Sequence, residues 1–151
     1  MKRCRGFEVV SHYRDREVIL PSRSTKGSAG YDFQALEDTV VPVGSKPCLV
    51  PTGIKAYMPE DEFLQLANRS SNPGKKGLIM ANGIGVVDQD YYNNPDNEGH
   101  ICFLFMNGTD EPILIRKGDK IGQGIFLRYY TIDNEEQVDS SRSGGFGSTG
   151  V

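Results

Sequence analysis

Asp88 and Asp90 close the stretch Ala81-Asn82-Gly83-Ile84-Gly85-Val86-Val87-Asp88-Gln89-Asp90-Tyr91-Tyr92, in which the order of residue types points to chemistry. Gly83 and Gly85 read as positions of positive φ and of close backbone approach to a ligand. Asn82 carries an amide that donates and accepts together. Two valines then read as a short strand fed by the glycine turn, delivering a carboxylate pair and two aromatics at its far end. Such a stretch suits the floor of a site for a flat, polar ring such as a nucleobase.

Four other segments carry reactive or ligand-binding groups. Ala29-Gly30-Tyr31-Asp32-Phe33 puts an acid after a glycine turn, where an Asp more often bonds its local backbone. Arg69-Ser70-Ser71, followed by Pro73-Gly74-Lys75-Lys76-Gly77, gathers a guanidinium, hydroxyls and glycine-freed N–H groups, the donors phosphate oxygens need; a solvated loop has the same composition. Lys117-Gly118-Asp119-Lys120 reads as an ordinary turn, but Gln123 then opens an apolar run with an amide that needs a partner. Gly144-Gly145-Phe146-Gly147-Ser148-Thr149-Gly150 sets one ring among mobile backbone donors and hydroxyls.

The elements that must position these groups are short. Apolar runs at 7–10, 31–36, 39–43, 48–50, 54–58, 63–67, 78–80, 101–106, 113–115 and 121–130, cut by Gly, Pro and Asn, read as strands. No window carries a sustained 3.6-residue period, so the expectation is an all-β sandwich, jelly roll or barrel with at most one short helix, near 71–76. The 151 residues suffice for one domain, burying roughly 70% of the unfolded surface. The expected division is a β domain over 1–138 and a Gly/Ser-rich flexible arm over 139–151, too poor in apolar surface to order alone. Seventeen Lys+Arg against 20 Asp+Glu, net charge −3, leave no basic excess for a long nucleic acid. Neither a signal peptide nor a membrane span is legible, which points to the cytoplasm. Cys4, Cys48 and Cys102 are odd in number and widely spaced, and read as reduced thiols rather than disulfides or a zinc site. Within its apolar run Cys102 reads most simply as core.

Together and in this order, Ala29-Gly30-Tyr31-Asp32, Arg69-Ser70-Ser71, Asn82 through Tyr91, Lys117 through Gln123 and Gly144 through Gly150 resemble the homotrimeric dUTP pyrophosphatase (dUTPase) family of bacterial or phage type. The resemblance spans nearly the whole chain. It implies a β-clip or distorted jelly-roll subunit, three-fold assembly with shared active sites, and hydrolysis of dUTP to dUMP and pyrophosphate, lowering dUTP and supplying dUMP for dTMP synthesis. By resemblance Asp88 is the catalytic carboxylate that takes a proton from the water attacking the α-phosphorus. With a reference pKa of about 3.9 an Asp is a weak base, so positioning and charge neutralisation must carry most of the acceleration. The resemblance also implies a Mg²⁺ held chiefly by the phosphates and touched by Asp32 through water.

In the same reading Asn82 and main-chain groups at Gly85 and Cys102 hold the uracil edge, and Tyr91 packs on the deoxyribose face, its place after two acids suggesting an exposed ring. Arg69, Ser70, Ser71 and Gln123 meet the phosphate chain. Phe146 stacks over uracil, a contact worth about 1–3 kcal/mol, while Arg142, Ser148 and Thr149 close on the β and γ phosphates, and Gly147 belongs to the same substrate-binding set. Two features depart from the commonest family pattern. Ser141 stands where its tail arginine falls, with Arg142 one residue closer to Phe146, and residues 92–99 lengthen a turn that is usually short. The insertion reads as a tolerated surface loop or, more sharply, as a site-flanking loop or a contact for a regulatory protein partner. A dCTP deaminase shares the implied fold and an Arg-Ser-Ser motif, but it needs a base beside the ring, which Val-Val-Asp-Gln-Asp-Tyr does not match. A non-catalytic, nucleotide-sensing trimer is the rival of another class.

Overall fold

A computed structural model describes residues 2–44, 46–136, 138, 142 and 144–146. Its strands are β1 (Gly6–Val9), β2 (Tyr31–Gln34), β3 (Thr39–Val41), β4 (Cys48–Tyr57), β5 (Glu62–Asn68), β6 (Leu78–Met80), β7 (Gly85–Val87), β8 (Ile101–Asn107), β9 (Ile113–Ile115) and β10 (Lys120–Arg128). They pair antiparallel in the orders β1-β4-β8-β6, β2-β10-β5-β7 and β3-β9.

Alternation along the strands creates the core. Ile101, Phe103 and Phe105 of β8 point inward while Cys102, Leu104 and Met106 face the other way. Leu64 and Leu66 do the same for β5. The inner faces of the sheets meet in one apolar cluster, with the Phe33 and Phe103 rings 5.5 Å apart across the interface. The runs at 48–50 and 54–58 prove to be one strand, bent by a bulge between Pro51 and Ile54. Among the described residues helical structure is confined to a single turn at Asn72–Lys76, where the sequence places it, and to 3-10 turns at Ser11–Tyr13 and Gln89–Tyr91. The architecture is the expected all-β, distorted jelly roll. No helix among the described residues is long and apolar enough to cross a membrane.

Candidate active site

Residues 81–84 leave β6 in one sheet and enter β7 in the other, so the floor of the site is a crossing between sheets. β7 and β8 do not pair with each other: β7 pairs with β5, while β8 pairs with β4 and β6. The crossing is a tight turn in which the Gly83 N–H donates to the Met80 carbonyl at 3.1 Å, with Gly83 at φ +70. Gly85 is not left-handed; it must be small because a Cβ there would lie 3.0 Å from that of Leu66. Between the two sheets opens a cavity of about 300 Å³. Asn82 and Asp88 line one side, and His100 and Cys102 the other.

Tyr91 lines this cavity but is only 8% exposed, which corrects the expectation of an exposed ring. Its two acidic neighbours face outward, and the 3-10 turn at Gln89–Tyr91 swings the third residue back into the protein. The phenol donates to the His100 carbonyl at 2.6 Å and accepts from Asn97 Nδ2 at 2.9 Å. Burial pushes its pKa up.

His100 and Asn97 carry no signal in the sequence beyond polar residues in a long turn. His100 Nε2 accepts from the Gly53 N–H at 2.9 Å, made available by the β4 bulge, and burial pushes its pKa down, Glu37 opposing. Burial likewise pushes the neighbouring Cys102 thiol up to about 12, so it is a neutral wall at ordinary pH.

Residues 92–99 form an ordered flank of the site. Asn94 is buried and Asn93 and Glu98 are left-handed. Lys55, whose side chain is buried, reaches Asn93 Oδ1 at 2.7 Å and Glu98 Oε1 at 2.5 Å. That ammonium, together with Ser11 N–H and O–H donation, draws the Glu98 carboxyl down to about 2.

Phe146 stands largely exposed at the cavity mouth. Arg142 does not project toward open solvent: its guanidinium pairs with Asp88 through Nη2 and with Asp90 through Nε at 2.8 Å. Gly147, Ser148 and Thr149 lie outside the described residues.

The remaining candidates gather in a second cluster, on β2, β10 and the end of β5. Asp32 accepts from Ser24 Oγ at 2.8 Å and Lys120 Nζ at 3.1 Å. Burial pushes the Asp32 carboxyl up, but these two donors outweigh it and hold the pKa below its ordinary value. Gln123 lies opposite Asp32 in the ladder and donates to the Asn68 carbonyl at 3.2 Å. Its close approach is why Gly30 is glycine: a Cβ there would fall 2.1 Å from Gln123 Oε1. Arg69 Nη1 donates to the Lys120 carbonyl at 3.4 Å. The Arg69-Ser70-Ser71 turn is braced by a relay that the sequence hides among loop asparagines: Asn68 Oδ1 accepts from the Arg69 N–H at 2.9 Å and from the fully buried Asn72 at 2.8 Å.

A small all-β subunit with a carboxylate beside a ring-sized polar cavity, and a separate Arg-Ser-Ser cluster, defines the class of nucleotide-handling jelly rolls. The dUTPase family model matches residues 16–150, and the chain belongs to that family. It is 50% identical over 150 residues to the deoxyuridine 5'-triphosphate nucleotidohydrolase of Lactococcus lactis subsp. lactis, covering 99% of each chain. The crystal structure of dUTPase from Streptococcus mutans superposes with a TM-score of 0.81 at 47% identity, covering 85% of this chain and 99% of that one. At 20% identity and a TM-score of 0.70, a dUTPase from phage phi11 of S. aureus, 91% and 98% covered, shares the fold; that protein coordinates a structural Mg(II) ion.

Proposed function

We propose that this chain hydrolyses dUTP to dUMP and pyrophosphate in the cytoplasm, in sites that copies of the chain build together as a homotrimer. The supporting observation is the separation of the two clusters. Asp32 lies on one edge strand of the β2-β10-β5-β7 sheet, level with Ala67, and Asp88 follows the other edge strand, level with Phe63. Three strand spacings and four residues of rise put them roughly 20 Å apart. One triphosphate cannot bring a water on its α-phosphorus and an ion on its oxygens to both. Asp88, Asn82, Tyr91 and Cys102 of one copy therefore work with Asp32, Arg69, Ser70, Ser71 and Gln123 of another. Apolar pairs that one chain leaves exposed, Val40 opposite Leu114 and Ile79 opposite Met106, offer the faces for such assembly.

The cavity fits a pyrimidine, with Asn82 facing the start of β8 across it. A wall of fixed backbone at the 5-position clashes with thymine, and fixed donors and acceptors leave cytosine unpaired. Tyr91 packs on the deoxyribose and leaves no space for a 2′-hydroxyl. Phe146 is placed to cover the base, and Arg142 leaves Asp88 to meet the phosphates together with Gly147, Ser148 and Thr149. Freed of Arg142, Asp88 orients the attacking water and accepts its proton.

Among the described residues no three His, Cys, Asp or Glu side chains gather into a metal cage. The donor set is a single carboxylate, Asp32, which suits a Mg²⁺ whose other ligands are phosphate oxygens and water. When bound, such an ion neutralises charge on the phosphates and the leaving pyrophosphate.

Pyrophosphate release from dUTP, dCTP, dTTP and UTP, with Mg²⁺ and after chelation, tests the reading. Metal-dependent release from dUTP alone is expected; release from dCTP or UTP at a comparable rate would overturn the pocket assignments.

A further inference from the structure

The inserted loop over residues 92–99 grips Tyr91 at both ends. Asn97 Nδ2 donates to the phenol at 2.9 Å, and Asn94 Nδ2 donates to the Tyr91 carbonyl at 2.7 Å. The two amides are tied to each other, since Asn97 Oδ1 accepts from Asn94 Nδ2 at 2.8 Å and from the Gly99 N–H at 3.0 Å. Lys55 and Ser11 clamp the far side of the loop through Glu98, each at 2.5 Å. With the His100 carbonyl accepting the phenol hydrogen bond at 2.6 Å, the Tyr91 hydroxyl both donates and accepts, and the ring cannot swing aside without breaking two hydrogen bonds at a buried position.

We propose that Asn97 is a specificity-determining positioning residue: by anchoring the Tyr91 phenol it stiffens the ring against a sugar bearing a 2′-hydroxyl. The inference rests on the reading of Tyr91 as the sugar-facing ring. A ring held only by packing yields to an added oxygen by a rotamer shift, so exclusion by shape is only as strong as the restraint on the ring. Ribonucleotide rejection in this chain thus depends on an amide within the inserted loop, six residues after Tyr91.

The test is kcat/KM for dUTP and UTP in a set of folded variants. Asn97→Ala should raise the UTP:dUTP ratio about tenfold, within the range of pocket contacts of this size. Asn97→Asp keeps the acceptor for Asn94 and Gly99 while removing the donor to the phenol, so it should relax discrimination with the loop intact. Tyr91→Phe removes the same link, and adding Asn97→Ala to it should change the ratio no further. An unchanged ratio in both Asn97 variants, or full additivity in the double variant, overturns the proposal. Tyr91→Ile separates the two levels. If it relaxes discrimination and the Asn97 variants do not, Asn97 alone is wrongly assigned; if it too leaves the ratio intact, the sugar-facing reading falls and the Asn97 proposal with it.

Discussion

Arg142 faces two carboxylates with one guanidinium, so this three-residue group at the pocket mouth carries a formal charge of −1. Asp88→Asn preserves shape and hydrogen-bonding capacity but cannot accept a proton. It should lower kcat by about 10²–10⁴-fold and leave nucleotide affinity largely intact; single-turnover kinetics beside equilibrium binding would show near-normal turnover if Asp88 has no such role. Glu98 gives a pH-dependent prediction. Its folded pKa, about 2, is depressed, so the stabilisation is complete above the unfolded carboxyl range near pH 4.5 and is lost as pH falls toward 2. Glu98→Gln should flatten that part of a melting-temperature profile, and an unaltered acid limb would show that the Lys55 clamp does not contribute. At this scale the grouping of Asn82 and Asp88 on one cavity was legible because their types stand out against glycine and valine. The burial of Tyr91 was not, because two neighbouring acids signal exposure while a three-residue helical turn reverses the direction.

Strands with strict alternation, β5 and β8 above all, could be read within a residue or so of their observed ends. Their partners could not. Period-2 patterning tells a strand which face to bury but not which neighbour to join, so nothing in its pattern shows that β7 completes the sheet beside β5. The loop over 92–99 was half legible: its Asn, Pro and Gly mark a turn, but the inward amides of Asn94 and Asn97 resemble any solvated pair. Gly99 shows how tightly this loop is built. It sits at φ +87, and a Cβ there would come within 2.7 Å of the Tyr91 carbonyl. Gly99→Ala should therefore cost on the order of 2–3 kcal/mol in urea denaturation, and a neutral result would mean that the loop rearranges freely.

For the whole molecule, the proposed roles of Asp32 and Asp88, taken with the distance between them, would make assembly a condition of activity. Light scattering should give a mass near three times 16.7 kDa. Mixing two inactive variants, Asp88→Asn and Asp32→Asn, after unfolding and refolding together should restore activity, because roughly a quarter of randomly assembled shared sites recover both native carboxylates. Sites contained within one chain would stay dead in every mixture. Removing residues 141–151 should leave a folded assembly with little turnover; loss of folding would instead make the arm structural. The separation of the two carboxylates on which the shared-site proposal rests is invisible to composition or periodicity, because it depends on which strands form the two edges of one sheet.

Among the described residues β7 has a strand neighbour on one side only, and its outward Val86 is exposed. The floor of the site therefore borders one of the sheet edges, where local opening is easier, while β4, β5, β8 and β10 are flanked on both sides. Amide hydrogen exchange should reflect this division. In the free protein the backbone of 82–88 should exchange well before that of β8, and nucleotide should slow the first set by orders of magnitude while scarcely changing the second. Ligand would then act on the chain mainly by quieting one edge, and part of the binding energy would appear as protection rather than as altered shape.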